Sequence, residues 1–101
     1  MYYIYILYSK KADKFYVGYS SDPWKRLVQH NENLSEKFTG KFKDWNLMAV
    51  FETSHIESVA INIERFIKKQ KSRNLILKLI DIDFVPDGYL AQLVRVPYVR
   101  D

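Results

Sequence analysis

Five side chains in this sequence are of types that can handle a phosphodiester when they are brought to one patch. They are the phenols of Tyr5 and Tyr16, the guanidinium of Arg26, the imidazole of His30, and one carboxylate, for which Glu64 is the best candidate. A guanidinium can fork onto two phosphate oxygens. Phenol and imidazole groups can hold or move protons at the attacking and leaving atoms.

The elements that must position them can be read in order. Tyr2 to Tyr8 is rich in aromatic and β-branched residues without a breaker, which predicts a strand; Phe15 to Tyr19 predicts a second, and the polar Ser9–Lys14 stretch is short enough to close a hairpin. Alternation places Tyr3, Tyr5 and Leu7 on one face and Ile4 and Ile6 on the other. Gly18 interrupts the second strand, as glycine does at a bulge or where another group comes close. Asp22-Pro23 marks a helix start, running to about His30, with Arg26 and His30 four apart on one face and Leu27 and Val28 turned to the core. Asn31 and Asn33 favour termination. Glu32 to Asp44 predicts a loop with room for one helical turn and a turn at Gly40. Leu47 to Thr53 predicts a third strand. A long helix follows over Ile56 to Lys71, its apolar stripe formed by Ile56, Val59, Ala60, Ile63, Phe66 and Ile67. Ser72 is placed to cap a last helix carrying Leu75, Ile76, Leu79 and Ile80. The order β-β-α-β-α-α predicts an α+β fold: a small three-stranded antiparallel sheet flanked by helices.

Bulk properties narrow the function classes. A chain of 101 residues, 48% hydrophobic, predicts one small domain. The absence of cysteine excludes disulfides, thiolate zinc sites and a cysteine nucleophile. No signal-like segment and no apolar run of about 20 residues is present, so the expectation is a soluble, cytoplasmic protein that does not enter a membrane. The net charge of +4 and pI near 9.3 lean toward polyanions. Arg65, Lys68, Lys69, Lys71, Arg73 and Lys78 crowd one segment, and Lys68, Lys69, Lys71 and Arg73 are candidates for phosphate contacts without base specificity.

The run Tyr3-Ile4-Tyr5, then Tyr16-Val17-Gly18, then Arg26, His30-Asn31 and Glu64, resembles the GIY-YIG nuclease domain, in particular its small stand-alone bacterial members. The resemblance covers about residues 2 to 81, so a nuclease-like domain is expected over 1–82 and a flexible or loosely docked tail over 83–101. It implies cleavage of DNA phosphodiesters with one divalent cation, Mg²⁺ or Mn²⁺, held by Glu64. It also implies catalytic roles for Tyr5, Tyr16, Arg26, His30 and Glu64. Two positions depart from the family pattern: Tyr3 stands where glycine is named, and Tyr19 where DNA-repair members carry lysine.

Physical chemistry is compatible with those roles. A free phenol, with a pKa of about 10, is a poor base at neutral pH, but a nearby cation favours its phenolate. Either Tyr5 or Tyr16 can then be the base, the other holding water or phosphate. Arg26 can neutralise charge growing in the transition state. His30 can bind phosphate, position a tyrosine or shuttle a proton. One carboxylate suffices for Mg²⁺, which keeps most of its waters. A larger nuclease usually adds a DNA-binding domain to such a module; without one, little sequence specificity or a targeting partner protein is expected. Branched or damaged DNA is a candidate target that no residue selects. The alternatives are a non-catalytic nucleic-acid-binding module keeping the same fold, and a protein-interaction domain whose basic faces are merely solvated.

Overall fold

The aromatic hairpin supplies two of the sheet's four strands. In the computed structural model, which describes residues 1–32 and 42–97, β1 (Tyr2–Ser9) and β2 (Lys14–Ser20) pair antiparallel, with Tyr5 opposite Gly18 and Leu7 opposite Tyr16. Asp13 turns the chain in the left-handed region, φ 50°, which aspartate tolerates better than most residues. Its carboxylate accepts from Tyr8 Oη at 2.6 Å, and Asp44 accepts from Ser9 Oγ at 2.6 Å and Lys11 N at 2.9 Å, so both carboxylates tie the turn down.

On its other side β1 pairs antiparallel with β3 (Trp45–Ser54). The register shifts between Ile6 and Leu7, leaving Met48 as an extra residue in β3, the signature of a bulge. Between β2 and β3 the helix α1 (Pro23–Glu32) forms; after β3 come α2 (Glu57–Gln70) and α3 (Arg73–Ile80). Ser72 caps α3 as its sequence position predicts, accepting from Leu75 N at 3.0 Å. Lys71 joins the two helices in a left-handed conformation, φ 49°.

Strand alternation divides the interior into two clusters. Tyr5, Leu7, Trp45, Leu47 and Val50 pack on the α1 side with Leu27. Ile4, Ile6, Val17, Ala49 and Phe51 pack on the other with Ile63 and Ile67 of α2 and Leu79 of α3. Val28, expected to face the core, is 51% exposed, because α1 offers the sheet its Leu27 and His30 side. Phe66 also lies outside the buried stripe and stacks on Tyr89, ring centroids 4.8 Å apart.

The sheet has four strands in the order β2-β1-β3-β4, one more than the three expected. The added strand is β4 (Val94–Arg95), from the segment for which the sequence offers only a flexible or loosely docked terminus. A short 3-10 helix, Gly88–Gln92, directs Leu90 and Leu93 into the core, each 6% exposed. Arg95 lies over the Phe51 ring at 4.9 Å and donates to the carbonyls of Leu79 and Asp81 at the end of α3, while Val96 N donates to Val50 O at 2.8 Å. Two residues carry too little alternation to be read as a strand in advance. The loop turn expected near Gly40 lies outside the described residues.

The docking of this segment can be measured. Leu93→Ala is expected to lower the unfolding free energy by about 2–4 kcal/mol in urea denaturation, the cost of emptying a buried leucine site. Val94→Ala, at an exposed position, should change it by no more than about 0.5 kcal/mol. Equal small effects at both positions would show that the segment does not contribute to the core.

Candidate active site

Tyr5 is the residue around which the site is built. It sits mid-strand in β1 and is 1% exposed. Its cross-strand partner is Gly18, and a Cβ placed there would stand 2.6 Å from both Cζ and Oη of Tyr5 and 3.0 Å from Cε2 of Tyr16. The ring therefore lies across Gly18, and only glycine leaves it room. The Tyr5 hydroxyl is hydrogen-bonded to His30 Nε2 at 3.1 Å.

Helix α1 brings the other two groups. Asp22 Oδ1 accepts from Lys25 N at 3.0 Å, capping the first turn ahead of Pro23. Arg26 and His30, one turn apart, then face the same way. Arg26 lies at the surface and donates to Gln29 Oε1 at 3.1 Å, and its charge favours the Tyr5 phenolate. Asn31, read in the sequence as a helix terminator and as part of the His30-Asn31 motif, has a positioning role: its side chain accepts from Trp45 N at 2.8 Å and donates to Trp45 O at 3.0 Å. With its side chain bound to β3, Asn31 does not end its own helix, which continues to Glu32. Asparagine near a helix end is too common a signal to have revealed this clamp.

Tyr16 is half-buried beside these groups, its ring 4.9 Å from the His30 ring and 6.3 Å from that of Tyr5. Helix α2 covers the opposite face of the sheet, yet its Glu64 edge is close enough to act on this side. Lys68 Nζ stands 3.4 Å from Glu64 Oε2 and 5.1 Å from the centre of the Tyr16 ring, and the Glu64 charge is felt at both Tyr5 and Tyr19, the residues that flank Gly18 in space and in sequence. The phenols, guanidinium, imidazole and carboxylate thus gather near one strand, β2.

The remaining sequence candidates divide. Lys68, Lys71 and Arg73 line a groove of about 460 Å³ beside Tyr16, together with Lys14, which was not among the sequence candidates. Lys69 is exposed on α2 and does not line it. Arg73 is tied down: its guanidinium donates to Asp13 Oδ1 at 2.8 Å and to Asp13 O at 3.1 Å, and lies 5.0 Å over the Phe15 ring.

Burial sets the protonation states. It is the largest influence on the Tyr5 phenol, pushing it up to about 12 against the opposing pull of Arg26, with the Tyr16 and Glu64 charges adding to the rise. His30 is pushed down to about 4, first by burial and then by the Arg26 charge. At neutral pH Tyr5 keeps its proton and His30 is uncharged. Among the described residues no group of three or more His, Asp or Glu side chains surrounds a metal position. A single carboxylate, 16% exposed, fits a hydrated hard cation that retains water ligands, not a cage such as zinc requires.

The His30 shift has a consequence for stability. Its folded pKa lies below the unfolded value of about 6.5, so unfolded chains take up a proton first as pH falls. Between about pH 6.5 and 4 the wild type is expected to lose on the order of 2–3 kcal/mol through this group. Denaturant melts at pH 7 and pH 4, compared with His30→Gln, isolate the effect: the variant should show a shallower loss, and parallel losses would remove His30 as the cause.

Among the described residues no helix is long and apolar enough to cross a membrane. A comparison with curated proteins gives no match. A family model described as the GIY-YIG catalytic domain matches residues 1–76, a span that holds the hairpin, α1, β3, α2 and the start of α3. Tyr5, Tyr16, Arg26, His30 and Glu64 all lie within that match, and this chain belongs to the GIY-YIG family, a family of nuclease-type domains.

Proposed function

We propose that this chain is a metal-dependent endonuclease that hydrolyses DNA phosphodiester bonds with little intrinsic sequence specificity, in the cytoplasm. The observation that carries the reading is the Tyr5 hydroxyl bonded to His30 Nε2 at 3.1 Å, with the Tyr16 ring 4.9 Å from the same imidazole. The protonated phenol can donate to a neutral His30, and that bond fixes the imidazole. Arg26, exposed one turn before His30, can offer its donors to a phosphate.

In this reading the two tyrosines have different tasks. Tyr5, with its phenol pushed up to about 12, stays protonated and positions His30. The base role falls to Tyr16, which is half-buried and stands next to the groove. Arg26 neutralises charge on the phosphate as water attacks. Glu64 holds one Mg²⁺ or Mn²⁺, which when bound supplies further positive charge at the scissile phosphate. Lys68, 3.4 Å from the Glu64 carboxylate, balances that carboxylate in the absence of the cation and is available to a phosphate oxygen in its presence. Lys71 adds sequence-independent attraction for the DNA backbone.

The test is a nicking assay on plasmid and branched DNA with Mg²⁺ or Mn²⁺, comparing wild type with Glu64→Ala and Tyr16→Phe. Each variant is expected to lose about 10²–10⁴-fold in rate, the scale of a proton-transfer or charge-stabilising contribution. Equal cutting by all three proteins would mean a contaminating nuclease and end the proposal. Salt-sensitive DNA binding without turnover would favour the non-catalytic binding module instead.

A further inference from the structure

Strand β2 stands at the end of the sheet, with β1 on one side and no partner strand on the other among the described residues. The groove beside Tyr16 touches four consecutive β2 residues, Lys14 to Val17. Successive side chains of a strand point to opposite faces, so contact with four in a row means that the groove runs along the strand edge. Every second N–H and C=O of an edge strand is turned away from its sheet, and here that side is the groove. The far wall comes from α2 and α3, where Lys68, Lys71 and Arg73 set a basic rim over the apolar side chains of Ile67 and Ile76.

We propose that this groove takes one unpaired nucleotide of a nucleic-acid strand, adjoining the phosphate held at Tyr16 and Arg26. The assignment rests on the nuclease reading and names the form of substrate the site accepts. A paired duplex presents phosphates and groove edges to a protein surface, and for those the cations alone suffice. An apolar floor has a use only when a base exposes its face. At about 460 Å³ the groove falls within the range of small-ligand sites, room for a nucleotide and far too little for a double helix.

The local contacts say how the base would be held. Phe15 is already covered, by the Tyr8 ring at 4.7 Å and by Arg73 at 5.0 Å, so it is not the stacking surface. The planar Arg73 guanidinium, locked by Asp13, offers a rigid plate in its place, since arginine planes stack on bases as aromatic rings do. Val17, Ile67 and Ile76 supply the apolar floor, and the open β2 edge supplies main-chain donors and acceptors for the base edge. Lys68, near both Glu64 and Tyr16, lies where the groove meets the candidate active site.

Amide chemical-shift mapping of the full chain, without divalent metal and with chelator present, tests this directly. The probes are a short oligothymidylate, an abasic strand of equal length, a blunt duplex and a short polyglutamate peptide. The oligothymidylate is expected to shift the amides of Lys14–Val17 and Lys71–Arg73, and the abasic strand to bind about tenfold more weakly, the loss of one stacked base. Lys71→Glu should weaken oligothymidylate binding several-fold while leaving the thermal melt in place. Equal affinity for the abasic strand, shifts confined to the outer face of α2, or displacement of the oligonucleotide by polyglutamate at equal concentration would each overturn the assignment, the last in favour of an acidic peptide added to the strand edge. Groove binding that persists in a chain failing the nicking assay upholds the groove and rejects the nuclease reading alone.

Discussion

The site depends on a single close approach: the Tyr5 ring lying across Gly18. Any larger residue at that position would meet the phenol at 2.6 Å, and the ring would have to lift away from the sheet. The Tyr5 hydroxyl would then lose the position from which it reaches His30. Losing a hydrogen bond between two buried groups would carry a desolvation cost. The glycine thus decides a hydrogen bond it does not make.

A second constraint is the order of strands. Because β2 is outermost, groups from the two faces of the sheet can act on one another near its edge: Arg26 and His30 from α1 on one side, Glu64 and Lys68 from α2 on the other. In a central strand the same residues would be separated by a continuous sheet. An open edge is also a place where chains associate, and here lysines at positions 14, 68 and 71 and the Asp13–Arg73 pair surround it. Those charges discourage strand addition by neutral segments and attract anions.

The other end of the sheet is closed by the residues after Asp83. Leu90 and Leu93 fill the interior between β3 and the α2–α3 pair, and Arg95 donates to carbonyls at the end of α3, the helix terminus where acceptors lack partners and positive charge is favoured. In a chain this small each buried leucine is a large share of the core, so the segment supports the same helices that carry Glu64 and the groove. The two ends of the sheet therefore differ, one an open edge rimmed by basic side chains and one covered by the segment that carries Leu90 and Leu93.

By itself the sequence determined the local elements and the identity of the candidate site side chains. Tyrosines alternating in a strand, Asp22-Pro23 at a helix start, Ser72 at another, and Arg26 four residues before His30 are signals carried within a few positions, and short-range sterics and capping enforce them. Tertiary structure alone decided what depends on contacts between distant residues: that Asn31 clamps Trp45, that Arg73 is bound to Asp13 and not free to move onto a phosphate, that Val28 faces solvent, and that Val94–Arg95 becomes a fourth strand. None of these leaves a periodic trace in the chain. Each follows from which surface remains uncovered once the helices have packed, and that is a property of the assembled sheet.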